Sequence, residues 1–121
     1  MIADVAHNPE AALNLYNFIS QFKNQGRVHA VFSALQDKSI EDIISPFIGL
    51  VDEWHISKIK SLRARPTIEI LNAIKSYKAD ALIHISNNLH EAYTNAYEKS
   101  SLNDNIVVFG SFYTVSECLI R

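Results

Sequence analysis

The 121 residues leave room for one hydrophobic core and too little for two, so a single domain spanning residues 1–121 is expected. Apolar residues make up 48% and charged residues 20%, the balance of an ordinary globular domain, which excludes disordered and fibrous chains. Eleven basic against thirteen acidic residues give a net charge of -2 with no block of either sign, so neither nucleic acid nor an anionic membrane is an expected partner.

Apolar runs alternate with amphipathic stretches along the whole chain, the pattern of an α/β domain built on a mainly parallel sheet. The first run, Ile2 to Ala6, predicts a strand. Met1-Ile2-Ala3-Asp4 lacks the basic and apolar segments of a signal peptide, and no run reaches the roughly 18 residues of a membrane span, so a cytoplasmic location is expected. A strand that opens at residue 2 and leads directly into the polar loop Asp4 to Pro9 reads as a piece of something longer. Ala11, Ala12, Leu15, Phe18, Ile19 and Phe22 then recur at helical spacing, with Asn8 as the cap and Pro9 in the first turn.

Val28 to Phe32 predicts the second strand, and Ile40, Ile43, Ile44, Phe47 and Ile48 a helix capped by Ser39. Pro46 inside that helix predicts a break near Ser45. The third run, Val51 to Ile56, begins with Asp52 and Glu53 and is therefore placed toward a sheet edge. Lys58, Lys60, Arg63 and Arg65 make the following loop basic, which leaves two readings open, a solvated loop or an anion contact. Ile68, Ile70, Leu71 and Ile74 form a third helix, Ala81 to Ile85 a fourth strand, and Leu89, Ala92, Tyr93, Ala96 and Tyr97 a fourth helix capped within Ser86-Asn87-Asn88. Ile106 to Phe109 and Thr114 to Ile120 supply the last strand and helix. Cys118, the single cysteine, falls among Val115 and Leu119 and reads as a core residue.

Ligands of parallel α/β sheets bind beyond the carboxyl ends of the strands. After the first strand, Asp4, His7 and Asn8 stand at the start of a helix, where free N–H groups favour an anion; His7 is either a phosphate or carboxylate contact or a loop histidine without a ligand. After the last strand, Gly110-Ser111 either brings the backbone against a ligand or forms a turn with a serine cap. His29, His55, His84 and His90 do not fall at metal-ligand spacings and no cysteine pair accompanies them, so no metal site is expected. Glycine-rich phosphate loops are likewise missing from the sequence, and another segment must hold most of any nucleotide's triphosphate.

Asp4-Val5-Ala6-His7-Asn8-Pro9 with Ala11-Ala12, then Asp37-Lys38, Val51-Asp52-Glu53-Trp54, Arg63-Ala64 and Val107 to Val115 carry a family resemblance. In order and spacing they resemble the C-terminal domain of bacterial folylpolyglutamate synthase/dihydrofolate synthase, within the Mur ligase superfamily. The resemblance implies a three-layer α/β/α Rossmann-like domain with a five-stranded sheet, the last strand inserted beside the first. It also implies a share in an ATP- and Mg2+-dependent ligase that joins L-glutamate to dihydropteroate or folate through an acyl phosphate. ATP and Mg2+ would be held mainly by an N-terminal ATP-binding domain of the same enzyme, leaving the isolated chain inactive and without a metal site of its own. By the same carry-over, Asp4 and His7 face the nucleotide and the reacting phosphate, with Asn8 beside them, and Ser111, Tyr113, Ser116 and Arg63 face the glutamate. The alternative is a non-catalytic Rossmann-like or receiver-like binding module. A receiver needs an acidic cluster after the first strand and a lysine after the last, and here Asp4 has no acidic neighbour and Gly110-Ser111 replaces the lysine.

Overall fold

Local signals in the chain account for most of the element boundaries. The computed structural model describes residues 2–3, 8–21 and 26–119. After β1 (Ile2–Ala3), Asn8 Oδ1 accepts the Ala11 N–H at 2.9 Å and Pro9 opens α1 (Pro9–Ser20). The stretch from Ile40 divides where the proline ring removes a helical N–H, into α2 (Ile40–Ile44) and a 3-10 turn at Ser45–Phe47. Ser39 stands at the cap position of α2 as expected but bonds to no helix N–H through its side chain; its hydroxyl donates instead to the carboxylate of Asp42, at 3.0 Å. α3 (Thr67–Tyr77) follows Pro66, and Asn88 Oδ1 accepts the Glu91 N–H to start α4 (Leu89–Lys99).

The remaining strands are β2 (Val28–Phe32), β3 (Glu53–Ile56), β4 (Ile83–Ile85) and β5 (Asn105–Phe109), with α5 (Phe112–Leu119) after the last. They form one parallel sheet in the order β1-β5-β2-β3-β4, in which β1 contributes two residues. β5 is inserted as the resemblance implies, with Val107 between Ile2 and Ala30.

The third run, expected toward an edge, lies beside the edge strand and not on the edge itself. β3 is an interior strand buried along its length, and the edge belongs to the more apolar β4, where Ile85 is 57% exposed. Polar groups are tolerated inside because they are paired. Asp52 Oδ2 accepts the Val28 N–H at 2.7 Å, and Glu53 bonds to Arg27 at 3.0 Å and to His84 at 2.8 Å.

Side chains alternate across each strand, and each face has its own core. Val28, Ala30, Phe32, Trp54, Val107 and Phe109 face α1, α2 and α3, with Phe109 4.9 Å from Phe32 and 4.6 Å from Phe47 between ring centres. Val31, Ile106 and Val108 pack with Leu89, Ala92 and Ala96 of α4 and Cys118 of α5. The apolar stripes are narrower than the spacing suggests, because one helix face reaches the sheet and the flanks remain in solvent. Phe18, Ile68 and Tyr97 are accordingly exposed.

The α4 face of the sheet also buries His29 and His55. Burial, with His84 and His29 nearby, lowers the pKa of His55 to about 4, so its ring is neutral at pH 7. Among the described residues, no helix is long and apolar enough to cross a membrane.

Candidate functional site

The rim of the sheet is shaped by its closing turn. Gly110 has φ +122°, and a Cβ there would lie 1.9 Å from the Ser33 carbonyl oxygen, so glycine lets the exits of β5 and β2 touch. Ser111 then caps α5: its Oγ accepts the Thr114 N–H at 3.0 Å and lies 3.0 Å from Thr114 Oγ1. Thr114 Oγ1 donates to the Ser33 carbonyl at 3.0 Å. Of the two readings of Gly110-Ser111, the turn with a cap is the one present; Ser111 is buried and serves the site by setting the start of α5. That cap also explains why α5 begins two residues before the expected Thr114.

Beside this turn lies an open cavity of about 410 Å³, lined by Lys60, Asn88, Leu89, His90, Tyr113, Ser116 and Glu117. Every lining residue follows the carboxyl end of β3, β4 or β5, where ligands of parallel sheets bind. Two contacts hold the α4 and α5 walls together: His90 Nδ1 donates to the Cys118 carbonyl at 2.9 Å, and Cys118 Sγ donates to the Leu89 carbonyl at 3.5 Å. The Lys60 N–H meets both oxygens of Glu117, at 3.1 and 3.0 Å, and closes the third wall. Burial, and secondarily the Glu117 charge, push the Cys118 thiol up to about 12, so it is structural and stays protonated.

The lining is mixed in charge. The start of α4, whose Glu91 N–H is already taken by Asn88, brings the positive end of a helix dipole and Lys60 an ammonium, both suited to carboxylates, while Glu117 suits a cation. Tyr113 and Ser116 add neutral hydroxyls. A small zwitterion with an extra carboxylate matches that set.

Of the residues expected from the sequence, Tyr113 and Ser116 line this cavity. Asp4 and His7 lie outside the described residues. Asn8 sits at the start of α1 with its Oδ1 engaged in the cap. Arg63 is paired with Asp37 at 2.7 Å on the surface and does not line the cavity. Arg65 belongs to the fold: its guanidinium donates to the carbonyls of Gln36 and Lys38 and to Glu69, tying the loop after β2 to the start of α3. The basic loop thus divides, with Arg65 structural and Lys60 on the cavity. Lys60 belongs to the basic loop for which an anion contact is one of the two readings, whereas Asn88, read only as a helix cap, His90 and Glu117 were not expected at a site.

The family model described as "Mur ligase, glutamate ligase domain" matches residues 1–112. The chain belongs to this family. Among members of the glutamate ligase domain family, the dihydrofolate synthase/folylpolyglutamate synthase of Buchnera aphidicola subsp. Baizongia pistaciae is 37% identical over 117 residues, covering 97% of this chain and 26% of that protein. The chain therefore spans about a quarter of the length of the curated relatives it matches. An E. coli structure described as FolC in complex with DHPP and ADP superposes with a TM-score of 0.86 at 28% identity, over 96% of this chain and 27% of that one. A bifunctional folylpolyglutamate synthase/dihydrofolate synthase described with Mn, AMPPNP and L-glutamate bound superposes with a TM-score of 0.78 at 30% identity, over 96% and 27%.

Proposed function

We propose that this chain is the C-terminal, glutamate-side domain of a longer cytoplasmic ligase. That enzyme joins L-glutamate to dihydropteroate or folate by way of an acyl phosphate made with ATP. What carries the reading is the likeness over nearly the whole chain to a protein described with AMPPNP, Mn and L-glutamate bound, together with a cavity whose lining suits a dicarboxylic amino acid.

Within it, the α4 N-terminus, Lys60, Tyr113 and Ser116 hold the glutamate carboxylates, and Glu117 lies on the side of the ammonium. Fixing the amino acid from several directions converts its attack on the acyl phosphate into a step between held partners. By the family resemblance, Asp4 and His7, with Asn8 beside them, face the nucleotide. When bound, Mg2+ neutralises phosphate charge, and the rest of the enzyme holds it. Among the described residues, the one grouping of three metal-capable side chains lies at the opposite end of the sheet and has no part in this step.

The test is glutamate-dependent ADP release by the longer polypeptide, assayed with dihydropteroate and with reduced folate. Release with at least one acceptor is expected, and none from the 121-residue chain alone. Micromolar ATP affinity of the isolated chain in the presence of Mg2+ would contradict the division of labour proposed here.

A further inference from the structure

The amino-terminal end of the sheet brings together residues that the sequence keeps apart. His29 and Glu53 are register partners on β2 and β3, and His55 lies two residues along the same face. One donor atom from each of the three lies within 4.8 Å of the others, and all three residues are buried. His29 Nδ1 is 3.4 Å from His55 Nε2 and 3.9 Å from Glu53 Oε2. Ligands on a tetrahedral zinc ion, bound at about 2.0–2.1 Å, stand about 3.3 Å apart, so a small rotation of Glu53 closes the set.

From this geometry we propose that His29 Nδ1, His55 Nε2 and a Glu53 carboxylate oxygen form a binding site for a zinc-class divalent cation. The site is structural, joining β2 to β3 on the face of the sheet that packs against α4.

Two observations support a ligand here rather than a self-contained polar cluster. The first concerns His55, which is fully buried with Nδ1 unpartnered and Nε2 in a single long contact at 3.4 Å. Buried polar groups are ordinarily satisfied, and Nε2, the nitrogen offered to the cation, is held only by that long contact, while Nδ1 stays without an acceptor when the cation binds. The second is the surrounding support. His29 Nε2 lies 3.2 Å from the Asp104 carboxylate, which accepts its proton and leaves Nδ1 with the lone pair that a metal needs. Carboxylate, histidine and metal form the usual outer arrangement of such sites. His84 Nε2 holds the second oxygen of Glu53 at 2.8 Å and stacks on His55 with 4.9 Å between ring centres.

Glu53 and Asp104 bring two negative charges against Arg27, half exposed, and Lys99, so the attraction for a dication comes from the Glu53 carboxylate that would touch it. Arg27 donates to Glu53 Oε2 at 3.0 Å and so competes with the cation. Binding displaces or tilts that guanidinium and moves the His55 proton from Nε2 to Nδ1; no proton is lost from either ring. Sequence spacing missed the site because its ligands come from neighbouring strands, 24 and 26 positions apart, with nothing local to connect them.

Titration of the metal-stripped 121-residue chain with Co2+ tests this. One ion per chain is expected, with the visible ligand-field absorption of cobalt held by the three side chains and one water, displaced by Zn2+. His55→Ala and Glu53→Ala should each weaken binding a hundredfold or more, and Asp104→Asn by roughly 10–100-fold through His29. Arg27→Gln should tighten it severalfold, an outcome that mere structural damage cannot produce, and His90→Ala should leave it unchanged. In the unaltered chain, Zn2+ should shift the ring resonances of His29 and His55 but not those of His90. Folded chain that develops no cobalt bands overturns the proposal, as does binding that survives His55→Ala or shifts confined to His90.

Discussion

The Thr114 hydroxyl donates to the Ser33 carbonyl oxygen at 3.0 Å, joining residues 81 positions apart. The contact fastens the first turn of α5 to the exit of β2, and Ser111 completes it from the cap position. Thr114→Val keeps the shape but leaves the buried carbonyl without this donor, a loss of about 1–2 kcal/mol. Ser111→Ala loses the cap, at about 1 kcal/mol. Because the two hydroxyls share a bond, the double variant should lose less than the sum, which urea unfolding of the single and double variants measures.

Gly110 and Gly49 make a matched comparison. Alanine at 110 would put its Cβ 1.9 Å from a backbone oxygen at φ +122°, whereas nothing lies within 4 Å of a Cβ at 49. Gly110→Ala should therefore cost at least about 2 kcal/mol, and Gly49→Ala should be neutral or stabilising by up to about 1 kcal/mol. Thermal melts of the two variants should move in opposite directions or differ by many degrees.

Cys118 should resist thiol reagents until the chain unfolds. Its pKa, raised from 9.0 to about 12 chiefly by burial, leaves about a thousandfold less thiolate at pH 8 than an unperturbed thiol. The sign for stability follows from the unfolded thiol ionising first. The contribution of Cys118 is intact below pH 9 and is lost between pH 9 and 12. A disulfide exchange assay at pH 8, with and without denaturant, should show slow labelling in the first case and fast labelling in the second.

The cavity and the nucleotide loop should separate kinetically in the longer enzyme. Lys60→Ala, Tyr113→Phe and Ser116→Ala should chiefly raise the glutamate KM, Lys60→Ala by tenfold or more, because those contacts are made before and during reaction alike. His7→Ala should lower kcat more than it raises the glutamate KM, since a contact to a phosphate gathering charge acts on the chemical step. Unchanged turnover in His7→Ala would remove His7 from the mechanism, and an unchanged glutamate KM in Lys60→Ala would remove the ligand from the cavity.

Several outcomes were determined by the sequence itself, because one short stretch contains both halves of the interaction. Asn8 and Asn88 cap the helices they precede, Pro46 divides a helix, and the alternation of apolar runs with amphipathic stretches specifies a parallel α/β sheet. Motifs at both ends of the chain also marked the family to which the match over residues 1–112 assigns it. Tertiary structure alone decided which polar groups became buried. Asp52 and Glu53 suggested an edge strand until Val28, Arg27 and His84, remote in sequence, supplied their partners. Ser111 could have met a ligand until Thr114 and Ser33 engaged its turn. Three of the four histidines without a recognisable spacing became, on three adjacent strands, a cluster in which His29 and His55 lie within 3.4 Å. Hydrogen bonds and charges act over a few ångströms of space, and a parallel sheet brings to that distance residues that crossover helices separate along the chain.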